Sequence, residues 1–462
     1  MRKPKVLMLG WEFPPVINGG LGVACHDLCL AMVKHAKVTM IIPKSNPDFV
    51  VKDLNLIGLN TIDSRTLKQV NYKDEYKTFE DVHFIPSELN PYYTERKNAF
   101  TIPGVDIHSQ YMKEVRIGRK NAKVFHIDDL YGGDVIEKVT VFGELASLLA
   151  QTLDFDIIHA HDWMTMLAGM EIKKITGKPL VVHVHSLEVD RGGVNSQGWV
   201  YQMEKRGMQE ADLLMPVSNF TGNIINEYYG IDYRKIFPVH NGIREVKPFR
   251  TKSPYNEKVV LFVGRLTRQK GPEYFVDIAA KVLEKNPNVR FIMAGTGDMQ
   301  NRILEKVAQK QIGHRFHLAG FLGLDKVRYL LSIADAYCMP SVSEPFGLSA
   351  VEAVQFDIPV VISKQSGVSE VLSGALKFDF WDINQAAEYI LSLLDNSTLH
   401  SQVVDDASKD LKKHQLGHCS QPCNGRLQKT WSPFLIHSNG ITMFEKNMQQ
   451  ANHILPNHLL KK

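Results

Sequence analysis

Long apolar runs are missing from this sequence. None of its 462 residues lies in an uninterrupted apolar stretch near the ~20 needed to span a bilayer. The basic start, Met1-Arg2-Lys3-Pro4-Lys5, leads only into Val6 to Leu9, too short for the apolar centre of a secretory leader. That stretch reads instead as a first buried strand. Cysteine is scarce, with five residues, two of them (Cys25, Cys29) at helical spacing in one segment. Such a set builds no disulfide framework, and a cytoplasmic setting is expected. Asp27 beside Cys25 and His26 has the chemistry of a metal cluster, yet no matching ligand set accompanies it, so no metal is expected. A large basic block is lacking too, and the net charge is +4, which argues against nucleic-acid binding. Apolar (44%) and charged (23%) content are those of a globular chain, and the length suits two domains.

What is present centres on Pro340 to Val354, P-S-V-S-E-P-F-G-L-S-A-V-E-A-V. It follows the mostly apolar run Ile333 to Met339, which reads as a buried strand, and it opens a helix at Gly347. Glu344 falls in the strand-to-helix loop and Glu352 inside the helix. At about 1.5 Å per residue the two acids reach different parts of one ligand lying over the helix end. The turn Pro345-Phe346-Gly347-Leu348 offers backbone N–H groups at a helix N-terminus, a ready anion site. An acid beside an anion site must meet something other than the anion, and hydroxyl groups are the natural candidate. The stretch fits a molecule with phosphate in its middle and polyols at both ends, which is the shape of a nucleotide-sugar.

Elsewhere strands and helices alternate. Val6 to Gly10 is a strand, Trp11 to Gly22 a glycine-rich loop, Val23 to Val33 a helix and Val38 to Ile42 a second strand. That order is a βαβ unit and implies a parallel sheet. Gly19, Gly20 and Gly22 make either a tight turn or a loop that comes close to a ligand. Pro43 to Asp129 is less regular, with short alternating runs at Val82–Pro86, Val105–His108 and Val124–Ile127 that suggest strands at the sheet edge; it reads as scaffold, an acceptor-binding face being the alternative. Regular alternation returns with a helix at Phe142–Leu153 and strands at Asp156–His159, Leu180–Val184, Leu213–Val217 and Ile236–His240, the last closing the first sheet. Ser218 and Thr221 suit a helix N-cap. A linker is expected at Lys247 to Glu257. A second series follows, with strands at Val259–Val263, Phe291–Ala294, Arg315–Leu318 and Pro359–Ile362 and a helix starting near Pro272. Each loop with binding character follows the C-terminal end of a strand, where ligands of open α/β sheets lie.

Arg265 and Lys270 share one loop, Gly264-Arg-Leu-Thr-Arg-Gln-Lys-Gly271, that leads to a helix N-terminus. Two cations with backbone N–H groups can neutralise a diphosphate leaving group without a metal; a solvated basic loop is the plainer alternative. His161, with Asp162 and Trp163, follows a strand of the first half. A histidine there is either structural or functional, and its place opposite a second site-bearing domain favours function.

Together these residues resemble the retaining glycosyltransferases of family 4 and the related glycogen and starch synthases, whose GT-B architecture (α/β) sets two Rossmann-like parallel-sheet domains face to face across a cleft. The resemblance covers nearly all of residues 4 to 412. Its most specific marks are Glu344 with Glu352, Gly264 to Gly271, and H-A-H-D-W from His159 to Trp163. It implies that Arg265 and Lys270 hold the donor diphosphate and that Glu344 sits beside the transferred sugar. The backbone of Phe346, Gly347 and Leu348 would meet phosphate or sugar. Glu352 would take the ribose hydroxyls, and His161 would reach the sugar near its C6 hydroxyl. Gly20 would close on the diphosphate, and the base would lie near Gly295, Gly297 and Phe321. It further implies no cofactor and no metal, a donor such as ADP-glucose or UDP-glucose, and a glucan or other glycan acceptor. Transfer would retain anomeric configuration and follow domain closure. One departure is Ile17, followed by Asn18, where glycogen synthases usually carry a lysine two residues before the glycine pair.

The expected organisation is an acceptor-side domain over 1–245, a nucleotide-sugar domain over 246–412 and an atypical tail over 413–462. The family usually ends in a W-D-x-x-A helix, whereas Leu416 to Trp431 has no helical period. Back-translated with allowed codons and shifted by one base, Leu416 to Thr430 spells W-D-T-A-A-N-H-V-T-V-V-Y-K-K. The tail therefore reads as a frameshift product beginning near Gln415, a divergent disordered tail being the alternative, and Cys419 with Cys423 is not read as a zinc pair. The expected activity is glucosyl transfer to the non-reducing end of an α-1,4-glucan. The alternatives are a surface-polysaccharide transferase and an inactive glycan- or nucleotide-binding protein.

Overall fold

A computed structural model describes residues 3–16, 19–46, 48–61, 130, 135–242 and 245–414. The first half carries β1 (Lys5–Leu9), α1 (Gly20–Met32), β2 (Lys37–Ile42), β3 (Leu54–Gly58), α2 (Val135–Ala150), β4 (Ile157–His161), α3 (Trp163–Thr176) and β5 (Leu180–Val184), then α4 (Glu188–Gly192), α5 (Trp199–Glu210), β6 (Leu213–Pro216) and α6 (Asn219–Tyr229). The second half carries β7 (Lys258–Val263), α7 (Pro272–Lys285), β8 (Val289–Ala294), α8 (Gln300–Gln309), β9 (Phe316–Gly320) and α9 (Leu324–Ile333). It continues with β10 (Ala336–Met339), α10 (Leu348–Gln355), β11 (Val360–Ser363), α11 (Val368–Val371), β12 (Leu376–Phe378), α12 (Ile383–Asp395) and α13 (Ser397–His414).

Each half is an open sheet of parallel strands. The orders are β3-β2-β1-β4-β5-β6 and β12-β11-β10-β7-β8-β9, the same doubly wound arrangement twice. Strands β1, β4, β5, β7, β8, β10 and β11 are near-continuous apolar runs because helices cover both sheet faces. Leu7, Leu9, Ile158 and Val182 pack beneath α2 and α3, while Val6, Met8 and Met40 pack on the other face with Cys25 and Cys29 of α1. In the second half Leu261, Tyr337 and Ile362 pack toward α10, and Val260, Phe291 and Val361 toward α7 and α12. A doubly wound sheet reverses its winding between the two central strands, β1 with β4 and β7 with β10. The crevice at their C-terminal ends is where such sheets take ligands.

Several boundaries differ from the sequence expectation. Ile333 belongs to α9 and β10 begins only at Ala336, because the Ile333 side chain packs as the last buried residue of an amphipathic helix. The first helix starts at Gly20, so Gly20 and Gly22 are helical rather than loop residues. Ile236 to His240 lies beside β6 through Phe237 N–H to Leu214 O (2.8 Å) and Val239 N–H to Pro216 O (2.7 Å) but forms no regular strand; Pro238 has no N–H to extend the ladder. The expected strands at Val82–Pro86, Val105–His108 and Val124–Ile127, the departure at Ile17 and Asn18, and the tail from Gln415 on lie outside the described residues. Among the described residues no helix is long and apolar enough to cross a membrane.

Candidate active site

The β7 loop and the β10 loop are built as one unit. Val342 N–H donates to Gln269 O (2.9 Å), and Gln269 is buried. A single 3₁₀ turn, Arg268–Lys270, precedes α7 and carries Lys270 toward Glu344. Lys270 Nζ lies 2.5 Å from Glu344 Oε2, which also accepts from Ser341 Oγ at 3.3 Å. Glu344 is 4% exposed, and its backbone is clamped: its N–H donates to Gln365 O and its carbonyl accepts from Gly367 N–H, both at 2.9 Å. The acid expected beside the sugar and the cation expected on the diphosphate are thus each other's partner. Losing the cation would leave the Glu344 carboxylate buried and uncompensated, so the pair holds both side chains in place.

Gly347 follows with φ 111°, and a Cβ there would meet Val368 Cγ1 at 2.9 Å and Met339 Cε at 3.2 Å. Only glycine lets the chain turn so closely into α10. The first-turn N–H groups of α10 therefore open onto the β7–β10 crevice. Phe346 is buried and Leu348 half-buried. Glu352 sits one turn further along α10; burial pushes its carboxyl up, partly offset by the Arg328 charge. Arg265 is exposed at the start of the β7 loop. Gly295 and Gly297 answer to packing: a Cβ on Gly295 would lie 1.9 Å from Gly264 O, and one on Gly297 would lie 2.3 Å from Leu266 O. Their close backbone partner is the β7 loop itself, which seals the crevice floor. Gly295 N–H donates to Gly320 O at 2.8 Å, bringing this loop beside Phe321, whose ring is 78% exposed.

At the other switch point His161 ends β4, fully buried. Its Nδ1 shares a hydrogen bond of 2.9 Å with His185 Nε2, while its Nε2 has no hydrogen-bond partner among the described residues. Burial, then His159, His183 and His185, hold its pKa well below the usual imidazole value, so the ring is neutral. Asp162 stands at φ 59°, ψ 173°, a region costly for a side chain bearing a Cβ. The conformation aims its Oδ1 back to accept from His185 N–H (2.6 Å) and Ser186 N–H (3.2 Å). Burial pushes its carboxyl up to about 7 against those two donors. Trp163 is buried edge-on against Trp199. Asp162 therefore locks the strand ends that carry His161 and His185.

The two crevices meet. A Cβ on Gly20 would touch Leu348 Cδ1 at 3.6 Å, so the glycine end of α1 faces the start of α10. Ser218, which caps α6 by accepting from Thr221 N–H, donates to Pro345 O at 2.6 Å. Ser343 Oγ donates to Asp190 Oδ1 at 2.5 Å. Glu370 accepts from Asn219 N–H (3.0 Å), Asn219 Nδ2 (2.8 Å) and Phe220 N–H (2.6 Å) and pairs with His240 (2.9 Å).

Sequence reading missed Asp190 and Glu370 as bridges between the halves. Each lies in the segment after a strand, and no local pattern marks which acid points across. It also missed the core beneath them, where buried Glu204 accepts from Arg191 Nη2 (2.7 Å) and from both Glu188 N–H and the Tyr229 hydroxyl. Cys25, dismissed as a metal ligand for want of neighbours in sequence, lies with His161 and His185, their donor atoms within 4.8 Å of one another.

Two doubly wound sheets with a charged crevice facing a histidine-lined one define a glycosyltransferase of GT-B architecture. Residues 5–237 match the family described as starch synthase catalytic domain, and the chain belongs to that family; residues 243–410 match glycosyl transferases group 1. An uncharacterized glycosyltransferase of Methanocaldococcus jannaschii is 28% identical over 386 residues, covering 80% of this chain and 82% of that protein. Glycogen synthase of Mycobacterium tuberculosis is 25% identical over 387 residues, 80% of each chain. The fold is shared with sucrose-phosphate synthase from Thermosynechococcus elongatus (TM-score 0.63, 17% identity, 89% of this chain and 94% of that one). It is also shared with Anabaena HepE in complex with UDP-glucose (TM-score 0.59, 15% identity, 96% and 99%).

Proposed function

We propose that this glycosyltransferase moves glucose from ADP-glucose or UDP-glucose to the non-reducing end of an α-1,4-glucan, with retention of configuration. The observation that carries the reading is the ion pair of half-buried Lys270 with buried Glu344, at the mouth of α10 in the β7–β10 crevice and opposite Gly20. An incoming diphosphate draws Lys270 and Arg265 to itself and meets the N–H groups at Phe346, Gly347 and Leu348. Glu344 is then released to the sugar, where positive charge grows as the anomeric bond to the leaving phosphate breaks. His161, neutral and dry, presents a hydrogen-bonding nitrogen to the sugar's C6 hydroxyl. Glu352 takes the ribose, and Phe321 with the Gly295–Gly297 loop borders the base. We assign the acceptor side to residues 1–245 and the donor side to 246–412, and cytoplasmic nucleotide-sugar pools would supply the donor. The likeness to a glycogen synthase over most of both chains supports the glucan acceptor. Other relatives are named α-maltose-1-phosphate synthase and D-inositol 3-phosphate glycosyltransferase, which keeps smaller acceptors in view.

The test is transfer of radiolabelled glucose from each donor to glycogen, by this chain and by a version with the reading frame restored after Gln415. Incorporation into polymer supports the reading and the better donor fixes the nucleotide. Donor binding without incorporation moves the acceptor to a surface glycan or a small polyol. Binding without any donor turnover, hydrolysis included, leaves an inactive binding protein.

A further inference from the structure

Parallel pairing of β4 with β5 sets His161 opposite His183 and His159 opposite Val181. Residues two apart on a strand share a face, so His159, His161, His183 and His185 form one patch of imidazoles. Ring centroids are 4.4 Å apart for His159–His161, 5.5 Å for His159–His183 and 5.1 Å for His161–His183. Both nitrogens of His159, both of His183 and Nε2 of His161 are buried with no hydrogen-bond partner among the described residues. A buried imidazole nitrogen left unmatched is costly; each neutral ring offers one lone pair, and three lone pairs in one place point to a ligand that accepts them.

We propose that His159, His161 and His183 form a binding site for a borderline-soft divalent cation of the zinc class; it takes the His161 nitrogen that the proposed function gives to the sugar, so metal and donor sugar would exclude each other there. One nitrogen from each of the three rings lies within 4.8 Å of the others. Bonds of about 2.0–2.1 Å in tetrahedral geometry put such nitrogens about 3.3 Å apart, so the rings need only close inward. His161 is already arranged as a metal-binding histidine is, with Nε2 open and the other ring nitrogen held by an outer partner, here His185. Burial also keeps the rings neutral, the state in which imidazole binds metal: His159 is pushed down to about 4 and His183 well below its usual value. The overlapping set of Cys25, His161 and His185 is less suited. Burial drives the Cys25 thiol well above its ordinary value, and His185 Nε2 is engaged with His161.

The test uses the full chain, stripped with a chelator and loaded with Zn²⁺ or Co²⁺. Expected are one metal per chain after gel filtration, a raised melting temperature, and a Co²⁺ spectrum with tetrahedral d–d bands and no thiolate charge-transfer band. His159→Gln and His183→Gln should each weaken binding at least tenfold, while Cys25→Ser leaves it unchanged. X-ray absorption on the wild-type zinc protein should show imidazole ligands without sulfur, a readout that stands even where a variant fails to fold. No stoichiometric metal in the wild type would overturn the proposal, as would sulfur ligation or full binding by folded His159→Gln and His183→Gln proteins. None of these readouts depends on transfer, so failure of the glucan reading would leave the metal site intact, and the reverse.

Discussion

The two switch points have the same topology and opposite electrostatics. At β7–β10 the crevice carries full charges: Arg265, Lys270, Glu344 and Glu352, with a helix N-terminus between them. At β1–β4 the walls are neutral imidazoles, an aspartate that burial pushes up to about 7, and buried Glu12, which accepts from Gly19 N–H. Topology fixes where each crevice opens; side chains decide what it can hold. A diphosphate demands cations and oriented N–H groups, which lose little by being partly wet. Sugar hydroxyls are told apart by neutral donors and acceptors, and these discriminate best where water is excluded.

The sharpest way to break this contrast is to neutralise the charged side. Glu344→Gln keeps the shape and removes the charge that would face a cationic transition state. Turnover should fall by about 10²–10⁴-fold, with donor affinity within a few-fold of wild type. Steady-state transfer and calorimetric donor titration together check this; unchanged turnover would remove Glu344 from the reaction. Lys270→Ala should act on both terms. It would strip the diphosphate of a cation and leave Glu344 buried without its partner, so donor affinity should drop by roughly 30–150-fold, from about 2–3 kcal/mol. Arg265→Ala, at an exposed position, should cost less. Equal losses at the two positions would contradict the geometry.

On the neutral side the lever is pH. His159 has its pKa lowered to about 4 from 6.5. Between these values the unfolded chain binds a proton that the folded chain does not. Its contribution to stability is therefore complete above pH 6.5 and is lost as pH falls toward 4, by about 3 kcal/mol. Asp162 and Glu204, both pushed up to about 7, work the other way. The folded chain keeps their protons where the unfolded chain has lost them, so their contribution weakens as pH rises toward 7. In metal-free protein, His159→Gln should flatten the acid limb of the stability curve and Asp162→Asn should steepen it. Melting temperatures across pH 4 to 6.5 read both slopes, and parallel curves for His159→Gln and wild type would show that the ring is not buried in neutral form.

Much of the charged side was legible in the sequence because its signals are local. Glu344, Gly347 and Glu352 lie within one strand–turn–helix unit, and Arg265 and Lys270 within one loop. Hydrophobic runs gave the strands, and parallel βαβ order then placed these loops at one sheet edge. The neutral side was less legible. His161 could be singled out, but its meaning depends on His183 and His185, which only the β4–β5 register brings alongside. The bridges from Asp190 to Ser343 and from Glu370 to the start of α6 span more than 150 residues of sequence, and no periodic pattern encodes them. Gly295 and Gly297 carry a packing demand that no local pattern shows: a Cβ on either would strike the backbone of the neighbouring β7 loop.

Phe321 gives the mildest and most selective probe. Its ring is 78% exposed at the β9 end, joined to the β8 loop through Gly295 N–H and Gly320 O. An aromatic ring left in water at a crevice rim contributes little to folding, so its removal should not move the melting temperature. Stacking of a nucleobase on an aromatic side chain is worth about 1–3 kcal/mol, and an open rim position belongs at the low end. Phe321→Ala should therefore weaken the intact donor and the free nucleoside diphosphate alike, by roughly five- to tenfold, while kcat holds. That pattern separates the base end of the crevice from the charged end, where Glu344→Gln should do the reverse. A loss in kcat at unchanged nucleotide affinity would place Phe321 by the acceptor instead.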